Sequence, residues 1–158
     1  MDHILTTILN DTFTLSVLKH RLMVLKTYLN QKFFNPAGKA EFEAQDLAWL
    51  KSQPAAFFQT FTPDNITQFF SQLEKQIQSL KVLTIYLTFE PDNETLSQIG
   101  VSLRKTFKDL YLMDVKYDPN LIAGPALVWK GVYKDYSLRS QIEQKKEMIL
   151  QSFKKYLR

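Results

Sequence analysis

Midway along the chain, Val82-Leu83-Thr84-Ile85-Tyr86-Leu87-Thr88-Phe89 sets eight β-branched, aromatic or aliphatic residues in a row without a charge. Such a run suits a buried strand, and a strand needs neighbours for its backbone N–H and C=O groups. The strands that could pair with it all follow it, because the apolar spacing before Val82 is helical throughout. The chain is therefore expected to divide near residue 81 into an all-helical N-terminal bundle, 1–81, and a small C-terminal α/β domain, 82–158. The fold class is α+β, with a mixed sheet and a terminal helix.

In the first half, Leu15, Leu18, Leu22, Leu25 and Leu29 alternate by three and four, a narrow seam for packing on another helix. Asn35-Pro36-Ala37-Gly38 ends it. Ile4, Leu5, Ile8 and Leu9 also have helical spacing, and Asn10-Asp11-Thr12 leaves open one helix or two. A shorter helix is expected over Glu41–Lys51, with Phe42, Leu47, Trp49 and Leu50 as its apolar members. The linker 52–61 carries no charge, and Phe57, Phe58 and Phe61 should pack it down. Thr62-Pro63 reads as N-cap and first helical position. The stripe Ile66, Phe69, Phe70, Leu73, Ile77 and Leu80 follows.

In the second half, Pro91-Asp92 opens a helix to about Phe107, with Leu96, Ile99, Leu103 and Phe107 on its apolar face, and Tyr111–Tyr117 is a second strand. A strand–helix–strand unit of this length is most simply a pair of parallel neighbours. Asp118-Pro119-Asn120 turns the chain. Leu121–Trp129 and Val132–Tyr136 are expected strands joined by a hairpin at Lys130-Gly131. One closing helix, Leu138–Tyr156, should bury Ile142, Ile149, Leu150, Phe153 and Leu157. Ser137 and Ser140 are rival caps.

The chemistry on offer is sparse. The 158 residues hold no cysteine and two histidines, and carry 20 basic against 16 acidic side chains. His3 and His20 do not form a ligand pair with a nearby carboxylate, so no metal site is expected. Gly38, Gly100, Gly124 and Gly131 never cluster, which excludes the known phosphate-binding glycine loops, and no cofactor is expected. Asp114, Asp118 and Asp135 could serve acid–base work, but turn and cap positions favour Asp on their own account. Trp129 and Tyr86 read as core residues, not as a base-stacking surface. No run of apolar residues is long enough for a signal peptide or a membrane span, and the cytoplasm is the expected compartment.

The positive charge concentrates at the end: residues 139–158 contribute 6 bases and 2 acids. Arg139, Lys145, Lys146, Lys154, Lys155 and Arg158 could form a solvated face, complement a helix dipole or meet an acidic partner.

Two segments in the second half carry a resemblance. Lys116-Tyr117-Asp118-Pro119-Asn120-Leu121-Ile122-Ala123-Gly124, and then Asp135, Ser137 and Arg139, resemble the C-terminal signature of the delta subunit of F-type ATP synthases, the OSCP family. The motif residues are Asp118, Pro119, Leu121, Ile122, Gly124, Asp135, Ser137 and Arg139, with Ala123 in place of the first glycine of the family's Gly-Gly pair. The likeness extends over about residues 64–158. The resemblance implies a non-catalytic subunit that ties the catalytic head to the peripheral stalk. Its helical half would receive the N-terminal segment of an alpha subunit, its C-terminal half would hold b subunits, and Lys145, Lys146, Lys154 and Lys155 would meet acidic stalk residues. It would lie at the cytoplasmic face of the membrane, touching the membrane only through the complex, with no nucleic-acid partner. Competing readings are an E-type peripheral-stalk protein of V/A-type ATPases, whose long charged coiled coil is not seen here, and a basic nucleic-acid-binding module, for which no reader motif is found.

Overall fold

A computed structural model of the chain describes residues 2–38 and 40–156. Leu157 and Arg158, expected on the last helix, lie outside the described residues. The chain forms two compact units, Met1–Lys81 and Val82–Arg158. Helices make up the first. The second holds a four-stranded mixed sheet with helices, so the class is α+β.

In the helical unit the leucine seam lies on α2, Leu15–Phe34, and α1 is a separate helix, Asp2–Asn10. The break between them is built, not frayed: Thr12 and Thr14 are buried, and Thr14 Oγ1 accepts the Val17 N–H at 3.3 Å as N-cap of α2. Leu18, Leu25 and Leu29 are completely buried, whereas Leu15 and Leu22 are half-buried. At roughly 1.5–3 kcal/mol for each fully buried leucine, this seam is a main source of the unit's stability.

Helix α3 spans Ala44–Ser52, later than the Glu41 start read from the sequence. Phe42 belongs to the extended approach, where its ring packs 6.4 Å from Tyr28. The uncharged linker contains a short helix, α4, Ala55–Gln59. Phe57, Phe61, Phe69 and Phe70 make a chain of edge-on ring contacts at 5.5, 4.9 and 5.7 Å, which fastens the linker to the next helix as expected.

That helix, α5, runs Ile66–Gln78, so the Thr62 cap reading needs correction. Thr62 and Asn65 instead lock a turn reciprocally, Asn65 Oδ1 accepting the Thr62 N–H at 2.9 Å and Thr62 Oγ1 accepting the Asn65 N–H at 3.3 Å. Ile66, Phe69, Phe70 and Leu73 are buried along α5.

In the second unit β1 is Lys81–Leu87, two residues shorter at its end than the apolar run. Leu83, Ile85 and Leu87 are buried and the alternate residues half-buried, so one side of β1 is better covered than the other. Asp92 caps α6, Asn93–Phe107, by accepting the Thr95 N–H at 2.8 Å. Strand β2, Tyr111–Tyr117, has the expected bounds and lies beside β1. The order across the sheet is β2-β1-β3-β4, where β3 is Ala126–Trp129 and β4 is Val132–Asp135. β3 is antiparallel to both its neighbours. Lys130 and Gly131, at φ 49° and 78°, make the two-residue hairpin that the sequence indicates.

Two expectations fail here. Residues 121–125 are not strand: Ala123 and Gly124 have φ of 45° and 96°, and Pro125 has no N–H for a ladder. The closing helix is also not one rod. It divides into α7, Leu138–Gln144, and α8, Lys146–Tyr156, at Lys145. Helix-type hydrogen bonds carry across, Lys145 N to Gln141 O at 3.2 Å and Ile149 N to Lys145 O at 3.0 Å, so the joint is a one-residue break and not a loop.

Candidate functional site

The two parts of the C-terminal signature, separated in sequence by the β3–β4 hairpin, meet in one place. Asp118 starts the first part: its N–H donates to Leu87 O at 2.9 Å at the end of β1, and its Oδ1 accepts the Asn120 N–H at 2.9 Å. That closes the turn around Pro119 and sends Leu121 into the core, while Ile122 stays 51% exposed.

Gly124 then touches the second part. A Cβ there would stand 2.8 Å from Tyr136 O and 3.2 Å from Ser137 Cα. With positive φ as well, the position excludes a side chain on two independent grounds. The contact is sealed by Tyr136 N to Pro125 O at 3.0 Å, and by Leu138 N to Ile122 O at 2.8 Å and Ala123 O at 2.7 Å.

Ser137 sits at the centre, fully buried. Its N–H donates to Asp135 Oδ1 at 2.7 Å, and its Oγ accepts the Ser140 N–H at 3.4 Å, so it is the N-cap of α7 and Ser140 is not. Hydrogen bonds from Ser137, side chain first and then backbone, hold the Asp135 carboxyl below the usual carboxylate range, and Arg139 adds to this. Arg139 itself is exposed, 3.5 Å from Glu143. Asp118, Gly124, Asp135 and Ser137 thus take part in turning the chain from the sheet into α7, while the Arg139 side chain stays on the surface.

Ala123 occupies a left-handed conformation without being glycine. That costs an L-residue about 1–2 kcal/mol, offset in part by its lower unfolded-state entropy. Ala123→Gly is expected to stabilise the C-terminal unit by up to about 1 kcal/mol, read as a higher midpoint in denaturant unfolding followed by Trp129 fluorescence.

What this anchor plants is unusual for a folded chain. No residue of α7 is buried, and Leu138, Ile142, Met148, Leu150 and Phe153 are exposed, Phe153 to 62%. The expectation that this helix buries its apolar side is corrected: the face is open. Lys145, Met148, Ile149, Ser152 and Phe153 line a shallow groove on α8. Lys146, Lys154 and Lys155 are exposed on the same helix. Spacing alone does not mark Met148 or Leu138, and the helix break at Lys145 has no proline or glycine to announce it. Exposed apolar side chains in this number on a helix are the surface chemistry from which interaction sites are built.

The helical unit has an opening of its own. Between α2 and α5, Lys26, Asn30, Thr67, Phe70, Ser71 and Glu74 line a cleft, with the Lys26 ammonium 5.8 Å from the Phe70 ring. On the same unit Met23 and Phe34 are each 60% exposed.

The alternative chemistries find little support in the geometry. Asp114 lies 3.5 Å from Lys116, and Asp118 and Asp135 serve the turn and the cap. His20 Nε2 pairs with Asp46 at 2.8 Å on the surface of the helical unit. Among the described residues no group of three or more His, Asp or Glu could hold a metal ion, and no helix is long and apolar enough to cross a membrane.

Comparison with known proteins points the same way as the signature. The family model described as ATP synthase delta (OSCP) subunit matches residues 62–149, more than half of the chain. ATP synthase subunit delta of Verminephrobacter eiseniae (strain EF01-2) is 30% identical over 84 residues, 53% of this chain and 46% of that protein. The match therefore spans about half the length of that relative. A chain whose C-terminal unit carries this signature, and whose matched segment covers the whole sheet and α7, belongs to the ATP synthase delta (OSCP) subunit family.

Proposed function

We propose that this chain is a non-catalytic coupling subunit of a rotary ATP synthase, holding the catalytic head to the peripheral stalk against torque. The observation that carries the reading is the exposed apolar face of α7 and α8, planted on the sheet by the signature residues. An amphipathic helix with an open face is made to pair with another helix. The partner there would be the b-subunit stalk, with Lys145, Lys146, Lys154 and Lys155 meeting acidic side chains. Rigidity supports the same reading: three backbone hydrogen bonds, from Tyr136 N and twice from Leu138 N, tie the helix start to the loop at Ile122–Pro125, so load on α7 passes to the sheet.

The cleft between α2 and α5 is the proposed seat for the N-terminal segment of the alpha subunit. Its mixed lining of Phe70, Lys26 and Glu74 suits an amphipathic helix. The chain would lie on the cytoplasmic side, and reach the membrane only through the complex.

The test is a tagged pull-down from gently solubilised membranes of the source cell. Alpha, beta and b subunits should be recovered in fixed proportion with the unaltered chain. Met148→Asp with Phe153→Asp, both at exposed positions, should release the b subunits while alpha is retained. Recovery of nucleic acid or unrelated soluble proteins from membranes in which the synthase stays intact would overturn the coupling reading.

A further inference from the structure

All the sulfur in this chain is thioether: the sequence has four methionines and no cysteine. An oxidant that meets the protein therefore has methionine as its sulfur target, and exposure decides which one reacts. Met113 is 1% exposed within β2, whereas Met23 and Met148 are 60% and 59% exposed. Position separates the two exposed ones. Met148 lies in the first turn of α8, in the groove it lines with Lys145, Ile149, Ser152 and Phe153. Met23 lines neither that groove nor the cleft between α2 and α5.

We propose, on the reading of α7 and α8 as the b-subunit seat, that Met148 is a reversible oxidation site whose sulfoxide form closes the α8 face to a partner helix. The oxidant is a hydroperoxide. The thioether sulfur attacks one peroxide oxygen, an S–O bond forms as the O–O bond breaks, and the departing oxygen takes up the proton to leave as water or alcohol. Sulfur loses two electrons and the peroxide gains two. A thiol-dependent methionine sulfoxide reductase reverses the step, two thiols becoming a disulfide while the oxygen leaves as water. With no cysteine, this chain has no thiol of its own to intercept the oxidant or to repair the product.

The consequence follows from what surrounds the sulfur. Ile149 and Phe153 offer no donor to a sulfoxide oxygen, and the Ser152 hydroxyl already donates to Met148 O at 3.0 Å. A partner helix packed on the face would bury a strong acceptor without a hydrogen bond. If the Lys145 ammonium turns to the sulfoxide instead, it is withdrawn from the acidic side chain of the partner. Either way the contact weakens, by the same change in polarity that Met148→Asp imposes. Oxidation acts on the chain before assembly, when the α8 face is uncovered.

The test treats the purified, tagged full chain with hydrogen peroxide, quenches it at intervals and follows each methionine by peptide mass spectrometry. Met148 should gain oxygen at least about tenfold faster than Met113. The same samples are offered detergent-solubilised b subunits. Capture should fall about fivefold as Met148 converts, and the two methionine sulfoxide reductases, one for each epimer, should restore it. For Met148→Leu, capture before and after peroxide should be equal, whatever its starting level, although Met23 still oxidises. The proposal is overturned if Met148 reacts no faster than Met113, if the oxidised chain captures b subunits undiminished, or if Met148→Leu loses capture equally. Should the untreated chain capture no b subunits, the coupling reading falls separately, and the apolar dye anilinonaphthalene sulfonate decides. Its fluorescence should drop as Met148 oxidises and hold steady for Met148→Leu; the same response from both chains overturns the proposal.

Discussion

Replacing Leu25 by alanine is expected to destabilise the helical unit by about 2–5 kcal/mol, the cost of deleting a buried isobutyl group in a core that closes only in part. Leu25 is fully buried in the middle of α2, where its neighbours Leu18 and Leu29 are buried to the same degree. The three sit on one face of a single helix, so a cavity at Leu25 cannot be relieved by rotating the helix without exposing the other two. Each unit contains one tryptophan, Trp49 in the first and Trp129 in the second. Urea unfolding of a Trp129→Phe background, followed at Trp49, reads the helical unit separately. A loss below about 1 kcal/mol would show that the seam is not the core of this unit.

The second large effect is expected at Gly124. Valine there would hold a β-branched side chain at φ 96° and drive its Cβ to 2.8 Å from Tyr136 O. The backbone strain alone is of order 1–3 kcal/mol, and the clash falls on main-chain atoms that cannot swing aside. Relief would require separating residues 122–125 from 136–138, which breaks the bonds from Leu138 N to Ile122 O and Ala123 O. The start of α7 would then detach. Gly124→Val is therefore expected to destabilise the second unit and to release b subunits in the pull-down, even though Gly124 belongs to neither α7 nor α8. Hydrogen exchange should locate the damage, with protection lost at Leu138 N and Tyr136 N while α2 is unaffected. Retained protection at both amides would overturn this account of the signature.

These two positions also show what kind of information the chain carries in plain view. Leu25 is recognisable because an alternating three-and-four spacing of leucines has one geometric meaning. The strand Tyr111–Tyr117, the hairpin at Lys130-Gly131 and the Asp92 cap are recognisable for the same reason: each depends on residues close in sequence. The signature at Asp118–Gly124 and Asp135–Arg139 can be matched to a family, yet its geometry cannot be read from the residues alone. Why Gly124 must be glycine depends on Tyr136 and Ser137, brought against it by a hairpin.

The sequence by itself determined the class of the fold, most elements to within a few residues, and the family. Local spacing and capping obey short-range sterics and hydrogen bonding, which a linear pattern records. Tertiary structure decided the rest. It turned 121–125 from strand into a positive-φ loop, interrupted the last helix at Lys145, and left Ile142, Leu150 and Phe153 in solvent where spacing had them buried. An apolar stripe states that a face is to be covered, but whether the cover comes from the same chain or from a partner depends on what stands opposite in space. For the α7–α8 face, nothing described in this chain's C-terminal unit buries it, and that openness is what gives the helix its proposed work.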